Sequence, residues 1–599
     1  MCRHSPRRLT EPAFCCFIVS NEAHSDPPSS HQTRRRHSLH HRDPPRLLAP
    51  SPYPPSHRLC RLRPGPRPSR LGPDRQLSWR THQTDQPLRP TDTHGPPVVA
   101  QLPNTQGHLG AHLRIEPATP APGEESMTRI AEPQLGFADL ELRHQGVHLD
   151  PLLQAVAAFL DDQATLVEQV RQDLVRGLKN PNTGRSGITP SQALRSLILM
   201  RVKNWDYREL RERINDGYTL RGFTNFDSHR VPKHDAFNRA FTRLTPETMR
   251  AINQAVVQTA VQLGLEDGRC LRVDTTVVAT DIHYPTDATL LWDTVRTVTR
   301  LVDKLHEELP RGVQGFTHRT RSARRRMQEL ERMSATQRQT QQVPKYRELL
   351  RITEQVLENA RQVVKKTAKV KGMDVIRRAV IDQLCQQITA YRGLGEKVID
   401  QTRRRVLDGE QVPVDEKVYS IFEDHTDLIK RGKQRTPVEF GHKVFLAESA
   451  QGLITDYQVL DGNPADTNQV KTSLDRHQQV FQHGPELYAG DRGFYSAENE
   501  EHCRQAGVSR VCLPQRGGQK TAEREALERS PAFKKGQRFR VGIEGRISVL
   551  FRGRGMKRCR AKGRERFEVL VGAAVLANNL LRIADLLLHR KPARLSKAA

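Results

Sequence analysis

The sequence is poor in aromatic and in acidic residues, and both shortages narrow the possible functions. Aromatic side chains make up 5% of the 599 residues, which disfavours a nucleic-acid binder built on many base-stacking surfaces. The 68 acidic residues are outnumbered by 96 lysines and arginines, so the net charge is +28. This excess predicts a polyanionic partner, either nucleic acid or an anionic membrane surface, and disfavours an enzyme for small neutral molecules.

Neither cysteine spacing nor hydropathy predicts a secreted or membrane protein. The chain has 9 cysteines, and those after residue 126 form no C-x-x-C pair and no zinc-type spacing with histidine, so we expect reduced thiols. The most apolar window, 567–588, contains Glu568, Arg582 and Asp585. Since each is costly inside a bilayer, we expect a buried helix of a soluble domain and no membrane partner.

Residues 1–126 lack lysine and hold 22 of the 38 prolines and 11 of the 24 histidines. Such a segment cannot bury enough apolar surface to offset the entropy of ordering, so it is predicted to be disordered. Ordinary composition begins at Met127. We interpret the first 126 residues as an upstream extension of the reading frame, with Met127 as the start; the alternative is a functional arginine-rich arm.

Residues 127–265 have a helical pattern that suggests DNA binding. Asp206 is placed to begin a helix in which Leu210 and Ile214 face inward while Arg208 and Arg211 face outward. Helix, turn and basic helix is the outline of a helix-turn-helix DNA reader. An ordinary helical bundle with a solvated basic face fits the same spacing.

Residues 288–410 form a second helical part that is strongly basic. They contain 26 lysines and arginines against 15 acidic residues, including the run Arg324, Arg325 and Arg326. Near-heptad spacing of apolar residues from Tyr346 to Val364 predicts long helices. The charge indicates contact with DNA phosphates, although a run of charge is often only a solvated face.

Strand patterns lie on both sides of this helical part. RCLRVDTTVVAT precedes it, and five apolar stretches follow it: KVYSIFE, VEFGHKVFLAE, LITDYQVLDG, PELYAGD and VSRVCLP. Helical patterns separate the later ones. The sequence therefore predicts an α/β core, a mixed sheet flanked by helices, made of 266–287 and 411–599 and interrupted by a helical insertion.

Three acidic residues of this core are candidates for a metal site. Asp274 lies in the first strand, and Asp491 follows the strand of ELYAGD, at the carboxyl end where open sheets place their ligands. Glu544 shares a helix face with Arg540, four residues earlier. Together the three carboxylates could hold two Mg²⁺ ions about 4 Å apart. Alternatively, each is an ordinary turn or ion-pair residue, with Arg492 or Arg540 as the partner.

Four segments in order resemble the DDE transposases of bacterial insertion sequences, of the IS-four/IS-five-like and ISNCY groups. They are VDTTVVATDIHYPTDATLLWDTVR, SIFEDHTDLIKRGKQRTPVEFGHKV, GDRGFYSAENE with LPQRGG, and RVGIEGRISVLFRGRGMKRC. The segment 189–245 resembles the amino-terminal domain of the same proteins. The resemblance covers nearly everything from Met127 onward.

The resemblance implies a ribonuclease H-like core in which Asp274, Asp491 and Glu544 are the catalytic, metal-binding triad. Arg540 matches the arginine of the family's Tyr-Arg-Glu-Lys signature. Gln537 stands where that signature has Tyr, and Phe551 stands where it has Lys, with Arg552 as a possible substitute. The separation of Asp274 from Asp491 is long for the class, which agrees with the helical insertion.

The implied function is a DNA transposase that uses two Mg²⁺ ions, with Mn²⁺ as a substitute, to cut and join strands. Its expected partners are double-stranded DNA, both element ends and target, and further copies of itself on that DNA. Its expected location is the bacterial cytoplasm, at the nucleoid. We expect Arg540, Lys433 and Lys443 near phosphates. A metal-dependent nuclease and an inactive DNA-binding relic are the alternatives.

Overall fold

Helices precede, interrupt and follow a single mixed sheet in the computed structural model. The structure describes residues 148–181, 183, 187–310, 315–430 and 437–590. All of these residues belong to one compact unit, Pro120–Ala599. The segment 1–126, for which the sequence predicts disorder, lies outside the described residues, as does Lys433.

The amino-terminal part is a bundle of helices around a shared apolar core. Polar residues begin several of them: the side chains of Asp150, Thr189 and Thr245 accept hydrogen bonds from backbone amides of the first turn. The helices are α1 Pro151–Asp161, α2 Ala164–Val175, α3 Pro190–Lys203, α4 Tyr207–Asp216, α5 Tyr218–Phe223, α6 His234–Arg243 and α7 Pro246–Gln262. In α4, Leu210 and Ile214 are fully buried, as predicted.

The sheet is built around one long central strand. Its members are β1 Cys270–Thr280, β2 Asp427–Lys430, β3 Val438–Ser449, β4 Ile454–Val459, β5 Leu487–Ala489, β6 Arg510–Cys512 and β7 Arg558–Cys559. The order is β2-β3-β1-β5-β6, with β4 paired to β3 and β7 paired to β1. Strand β1 is antiparallel to β3, with Asp274 opposite Leu446, and parallel to β5. Strands β5 and β6 are also parallel.

Helices are the only regular elements in the described residues of the insertion, which has a core of its own. Its helices are α8 Asp287–Glu308, α9 Thr320–Arg332, α10 Ala335–Ala368 and α11 Val375–Thr402, the last continuing as a π-helical turn, Arg403–Leu407. Tyr346, Leu349, Leu357 and Ala360 are buried in this core. The near-heptad prediction for α10 is therefore confirmed.

Helices cover both faces of the sheet. They are α12 Gln469–Phe481, α13 Ala497–Gln505, α14 Ala522–Arg529, α15 Pro531–Gly553 and α16 Arg564–Leu588. Because side chains alternate along a strand, Leu271 and Val273 of β1 face α12 and α13, whereas Val278 faces α15 and α16. Asp274 shares the second face, and α15 runs over it.

Helix α16 is apolar around most of its circumference because it is buried on two sides. Val569, Ala573 and Leu576 pack into the core of the amino-terminal helices. Val571 and Ala574 pack against the sheet. The helix is long and apolar enough to span a membrane, but 72% of its apolar window is buried inside the protein. The predicted buried helix is therefore confirmed.

The predicted strand at KVYSIFE is wrong. Residues 417–423 are irregular, and the hydroxyl of Ser420 accepts hydrogen bonds from the amides of Phe422 and Glu423 at 3.1 and 3.2 Å. This side-chain turn supplies bonds that a strand would take from a neighbour. Val418 and Ile421 are buried against the helices of the insertion, which accounts for the apolar pattern.

Candidate active site

Three separate elements bring the predicted carboxylates together. Asp274 lies in the middle of β1, Asp491 follows β5 after Gly490, and Glu544 lies on α15. The backbone holds two of the side chains: Oδ1 of Asp274 accepts from the amide of Thr275 at 2.8 Å, and Oδ1 of Asp491 accepts from the amide of Gly493 at 2.7 Å. Asp274 and Asp491 are 217 positions apart in the sequence, and Asp491 and Glu544 are 53 positions apart. The fold thus brings three distant residues together beside α15.

A single guanidinium contacts all three carboxylates. Nη2 of Arg540 lies 3.1 Å from Oδ2 of Asp274 and 3.8 Å from Oδ2 of Asp491, while Nη1 lies 3.1 Å from Oε1 of Glu544. The side chains of Asp274 and Arg540 are only 13% and 15% exposed, whereas Glu544 is 62% exposed. The cluster is therefore buried at Asp274 and Arg540 and open to solvent at Glu544.

Close approach of α15 to the sheet fixes this geometry. A Cβ at Gly542 would lie 2.0 Å from Nη1 of Arg272 on β1, and a Cβ at Gly536 would lie 2.3 Å from Sγ of Cys512 on β6. A side chain at position 536 would press against β6, and one at position 542 would displace the guanidinium of Arg272. The side-chain amide of Gln537 also links α15 to the sheet, because its Nε2 donates hydrogen bonds to the carbonyls of Gly490 at 3.2 Å and Cys512 at 2.7 Å.

A buried ion-pair triad supports the same elements. Glu448 of β3 is fully buried and accepts hydrogen bonds at 2.8 Å from Nε of Arg272 and at 2.8 Å from Nε of Arg546. Arg272 precedes Asp274 by two residues, and Arg546 follows Glu544 by two. The triad thus links β1, β3 and α15 next to the carboxylates.

A fourth acid, Asp466, lies beside the three. It precedes α12, and its Oδ1 accepts hydrogen bonds from the hydroxyl of Thr275 at 2.9 Å and from Nζ of Lys443 at 2.7 Å. A Cβ at Gly493 would meet the carboxylates of both Asp466 and Asp491 within 2.9 Å. Asp466 therefore borders the cluster, but Lys443 neutralises it.

The carboxylate oxygens of this cluster suit a hard divalent cation, although the guanidinium of Arg540 lies between them. All candidate ligands are carboxylate oxygens, which Mg²⁺ prefers. In the part of the chain that the structure describes, no group of three His, Cys, Asp or Glu side chains surrounds a common point closely enough to hold an ion. The carboxylates are gathered round Arg540, so an ion could join them only if that side chain shifted.

Comparison with known families decides the class of protein. Residues 400–580 match the family model "Transposase DDE domain", and residues 143–243 match "Transposase domain (DUF772)". The chain is a DDE transposase. No curated protein and no solved structure matches it significantly. Asp491, Arg540 and Glu544 lie within the first match, whereas Asp274 precedes it and is brought to the other two carboxylates by the position of β1.

The two departures from the family signature are accounted for by packing in this transposase. Gln537, at the position of the signature Tyr, directs its amide inward to backbone carbonyls. Phe551, at the position of the signature Lys, packs with the core between α15, α16 and the sheet. Arg552 beside it is exposed. Of the three, only Arg552 is exposed, whereas Gln537 and Phe551 are half-buried.

The other predicted DNA contacts of the transposase lie in several places. Lys443 is internal, since its Nζ bonds to Asp466 and to the carbonyl of Pro464 at 2.8 Å. Arg208 is exposed and Arg211 half-buried on α4. In the run on α9, Arg325 pairs with Glu329 at 3.0 Å and Arg326 pairs with Glu329 at 2.8 Å and with Glu348. Arg324 is exposed, and no acidic group within the described ranges lies in ion-pair distance of it.

Sequence reasoning missed the network made by the EDHTD and FGHKV motifs. Nδ1 of His425 and Nε2 of His442 are 2.7 Å apart, Nε2 of His425 is 3.0 Å from Glu423, and Nδ1 of His442 is 2.8 Å from Asp427. Burial lowers the pKa of His442. The network joins β2, β3 and α16 on the same face of the sheet as Asp274. His442 lies opposite Val278, four residues along β1 from Asp274, so the network lies outside the carboxylate cluster.

Proposed function

We propose that this transposase acts on an insertion sequence, binding the element ends and cutting and joining DNA strands at Asp274, Asp491 and Glu544. The observation that carries the proposal is the guanidinium of Arg540, which contacts all three carboxylates within 3.8 Å. Three acids drawn from distant segments would repel one another unless a cation joined them. Such a convergence supports a site that binds positive charge.

The order and direction of the strands support a ribonuclease H-like core. A long central strand, β1, pairs antiparallel with β3, which in turn pairs antiparallel with β4, and the parallel strands β5 and β6 lie on the other side of β1. The insertion 288–410 enters after β1 and adds no strand in its described residues. The helices of 127–265 and the exposed arginine of α4 support a DNA-binding domain. The order of the four motifs supports the IS-four/IS-five-like and ISNCY assignment.

Asp274, Asp491 and Glu544 are the residues that would hold two Mg²⁺ ions, or Mn²⁺ in their place. When bound, such ions lower the pKa of an attacking water or 3′-hydroxyl and stabilise the leaving oxygen. The protein supplies the ligand positions: the amides of Thr275 and Gly493 orient two carboxylates. Arg540 keeps the three together and is the cation nearest to a phosphate bound there.

Single substitutions of the three carboxylates test the proposal. Asp274→Asn, Asp491→Asn and Glu544→Gln should each abolish cleavage of a supercoiled plasmid in Mg²⁺ and leave DNA binding nearly intact, because the carboxylates bind metal rather than bases. Asp475→Asn, at an exposed position of α12, is the matched control and should cut normally. A carboxylate variant that cuts at the wild-type rate is not part of the triad; Asp466 is then the first replacement to test, before Asp281 and Glu498.

The products of the same plasmid assay separate the alternative functions. Products in which DNA strands have been joined indicate a transposase, and nicks alone indicate a metal-dependent nuclease. Binding of the plasmid without cutting indicates an inactive DNA-binding relic. We further propose that the protein assembles as a homo-oligomer on DNA and acts at the bacterial nucleoid. Sedimentation with and without duplex DNA tests the first of these.

A further inference from the structure

A cavity lies between the amino-terminal helices and the segment that joins α15 to α16. Its volume is about 560 Å³. One wall includes Arg201, Trp205 and Tyr207, and the opposite wall includes Lys557, Arg560 and Arg566. Val278 of β1 also borders it, about 13 Å along the strand from Asp274. The cavity is therefore separate from the carboxylate cluster, and its walls come from the two segments that match transposase families.

The charge of the lining is almost entirely positive. Six cations line the cavity: Arg201, Lys557, Arg558, Arg560, Lys562 and Arg566. Arg558 pairs with Asp281 at 2.8 Å, but in the described part of the chain no acidic group is within ion-pair distance of the other five. The single acid of the lining, Asp206, already accepts bonds from the amides of Arg208 and Glu209 at 2.8 and 2.9 Å. The cavity thus holds a large excess of unneutralised positive charge.

Arg201 makes this excess energetically significant because it is buried. Its exposure is 8%, its Nε has no hydrogen-bond partner, and its Nη2 donates only to the carbonyl of Arg554. Burial lowers the pKa of Arg201 to about 10, so it is still charged at neutral pH. A buried cation without a counter-ion is costly to the fold. Such a residue is expected where a ligand supplies the missing negative charge.

We propose that this cavity is a phosphate-binding site that receives one nucleotide of a DNA strand. The inference rests on the proposed function, since it assigns a second contact for the same DNA. An arginine fork and neighbouring lysine match the oxygens of a phosphodiester. The volume exceeds what a phosphate needs, and the rings of Trp205, Tyr207 and Phe241 line the remaining space, as a nucleoside would require.

Binding experiments in EDTA test the site without involving the carboxylates. The double variant Arg560→Gln/Arg566→Gln removes two exposed cations of the cavity. It should weaken binding of a labelled random-sequence duplex and of a single-stranded oligonucleotide by about tenfold, and lower the slope of log K against log salt by about two units. The control, Arg269→Gln/Arg529→Gln, removes the same charge at exposed sites elsewhere and should bind like the wild type.

Substitution of Arg201 gives a second, independent measurement. Arg201→Met retains the bulk of the side chain without the buried charge, so the variant should unfold without DNA at a temperature equal to or above that of the wild type. The oligonucleotide should raise its unfolding temperature less than it raises that of the wild type. An arginine needed only for folding would instead give a lower unfolding temperature and an unchanged shift with DNA.

The outcomes distinguish failure of this site from failure of the proposed function. The phosphate site would be overturned if the cavity variant bound DNA with wild-type affinity and salt slope, or if the control variant lost as much affinity as the cavity variant. Neither result would change what plasmid cleavage says about the proposed function. Conversely, a wild-type protein that never cuts DNA would refute the proposed activity. Loss of oligonucleotide binding confined to the cavity variants would still establish the site.

Discussion

Glu448 has no exposure to solvent and lies between two arginines that flank the candidate catalytic residues. Its partners are Arg272, two residues before Asp274, and Arg546, two residues after Glu544. Removing the one anion would leave two cations uncompensated in a buried place. The stability of the fold and the position of the carboxylates should therefore depend on the same side chain.

We predict that Glu448→Gln lowers the free energy of unfolding by about 3–5 kcal/mol, measured by urea denaturation. Glu358→Gln is the matched control, because Glu358 pairs with Arg361 at 2.7 Å on the exposed surface of α10. Its unfolding midpoint should barely move, since exposed ion pairs contribute little. Equal shifts in the two variants would contradict the role assigned to the buried triad.

Single residues also show where sequence reasoning stops. Asp491 and Arg540 could be chosen from the sequence because a strand end and a four-residue helical spacing are local patterns. The partner of Lys443 could not, because its ion pair with Asp466 joins residues that no short-range pattern relates. The sequence predicts Lys443 near phosphates; the structure shows its side chain buried beside Asp466, and a contact with phosphate stays a prediction.

Helix α12 contains a titratable group in an unusual environment. His477 is 4% exposed and its ring stacks on Phe481 with centroids 4.5 Å apart. Burial, together with the nearby His483, lowers the pKa of His477 to about 4. An unfolded chain has a histidine pKa near 6.5. Between these values the unfolded state binds more protons, so stability is lost as the pH falls.

We predict that the protein loses roughly 2 kcal/mol of stability through His477 when the pH falls from 7 to 5. His477→Leu should remove that part of the pH dependence, as measured by urea unfolding at both pH values. The control His589→Leu changes an exposed histidine at the end of α16 and should keep the wild-type dependence. A pH profile that is identical in wild type and His477→Leu would contradict the assignment.

Elements with a single exposed face were predicted best. Periodicity identifies α4 and α10, whose buried residues repeat every three or four positions. It failed at 417–423 because burial of Val418 and Ile421 against the insertion imitates a strand. An apolar pattern records that a side chain is buried, but not which backbone conformation buries it.

At the scale of the whole molecule, α16 joins parts that are far apart in the sequence. One side packs in the core of the amino-terminal helices and the other on the sheet. The sequence predicted a buried helix here from its charges, but both of its partners are tertiary contacts that periodicity cannot identify. The cavity near Arg201 depends on the same junction, so its position was equally out of reach.

The positive charge of the insertion is the remaining feature that could contact DNA, and the structure changes how its arginines should be tested. Arg325 and Arg326 are held in ion pairs with Glu329 and Glu348. Arg324 is exposed on the same helix, α9. Neutralising all three should therefore remove one available phosphate contact rather than three.

We predict that Arg324→Gln weakens binding to all DNA sequences alike and lowers the slope of log K against log salt by about one unit. Arg326→Gln is the matched control: it breaks an ion pair, so it should lower the unfolding temperature and leave the salt slope unchanged. Binding to duplex DNA across a salt series, with sedimentation in parallel, makes the comparison. A change of assembly without a change of slope would assign α9 to contacts between subunits. No change in either measurement would show that Arg324 is only part of a solvated face, because a phosphate contact cannot be lost without the release of fewer counter-ions.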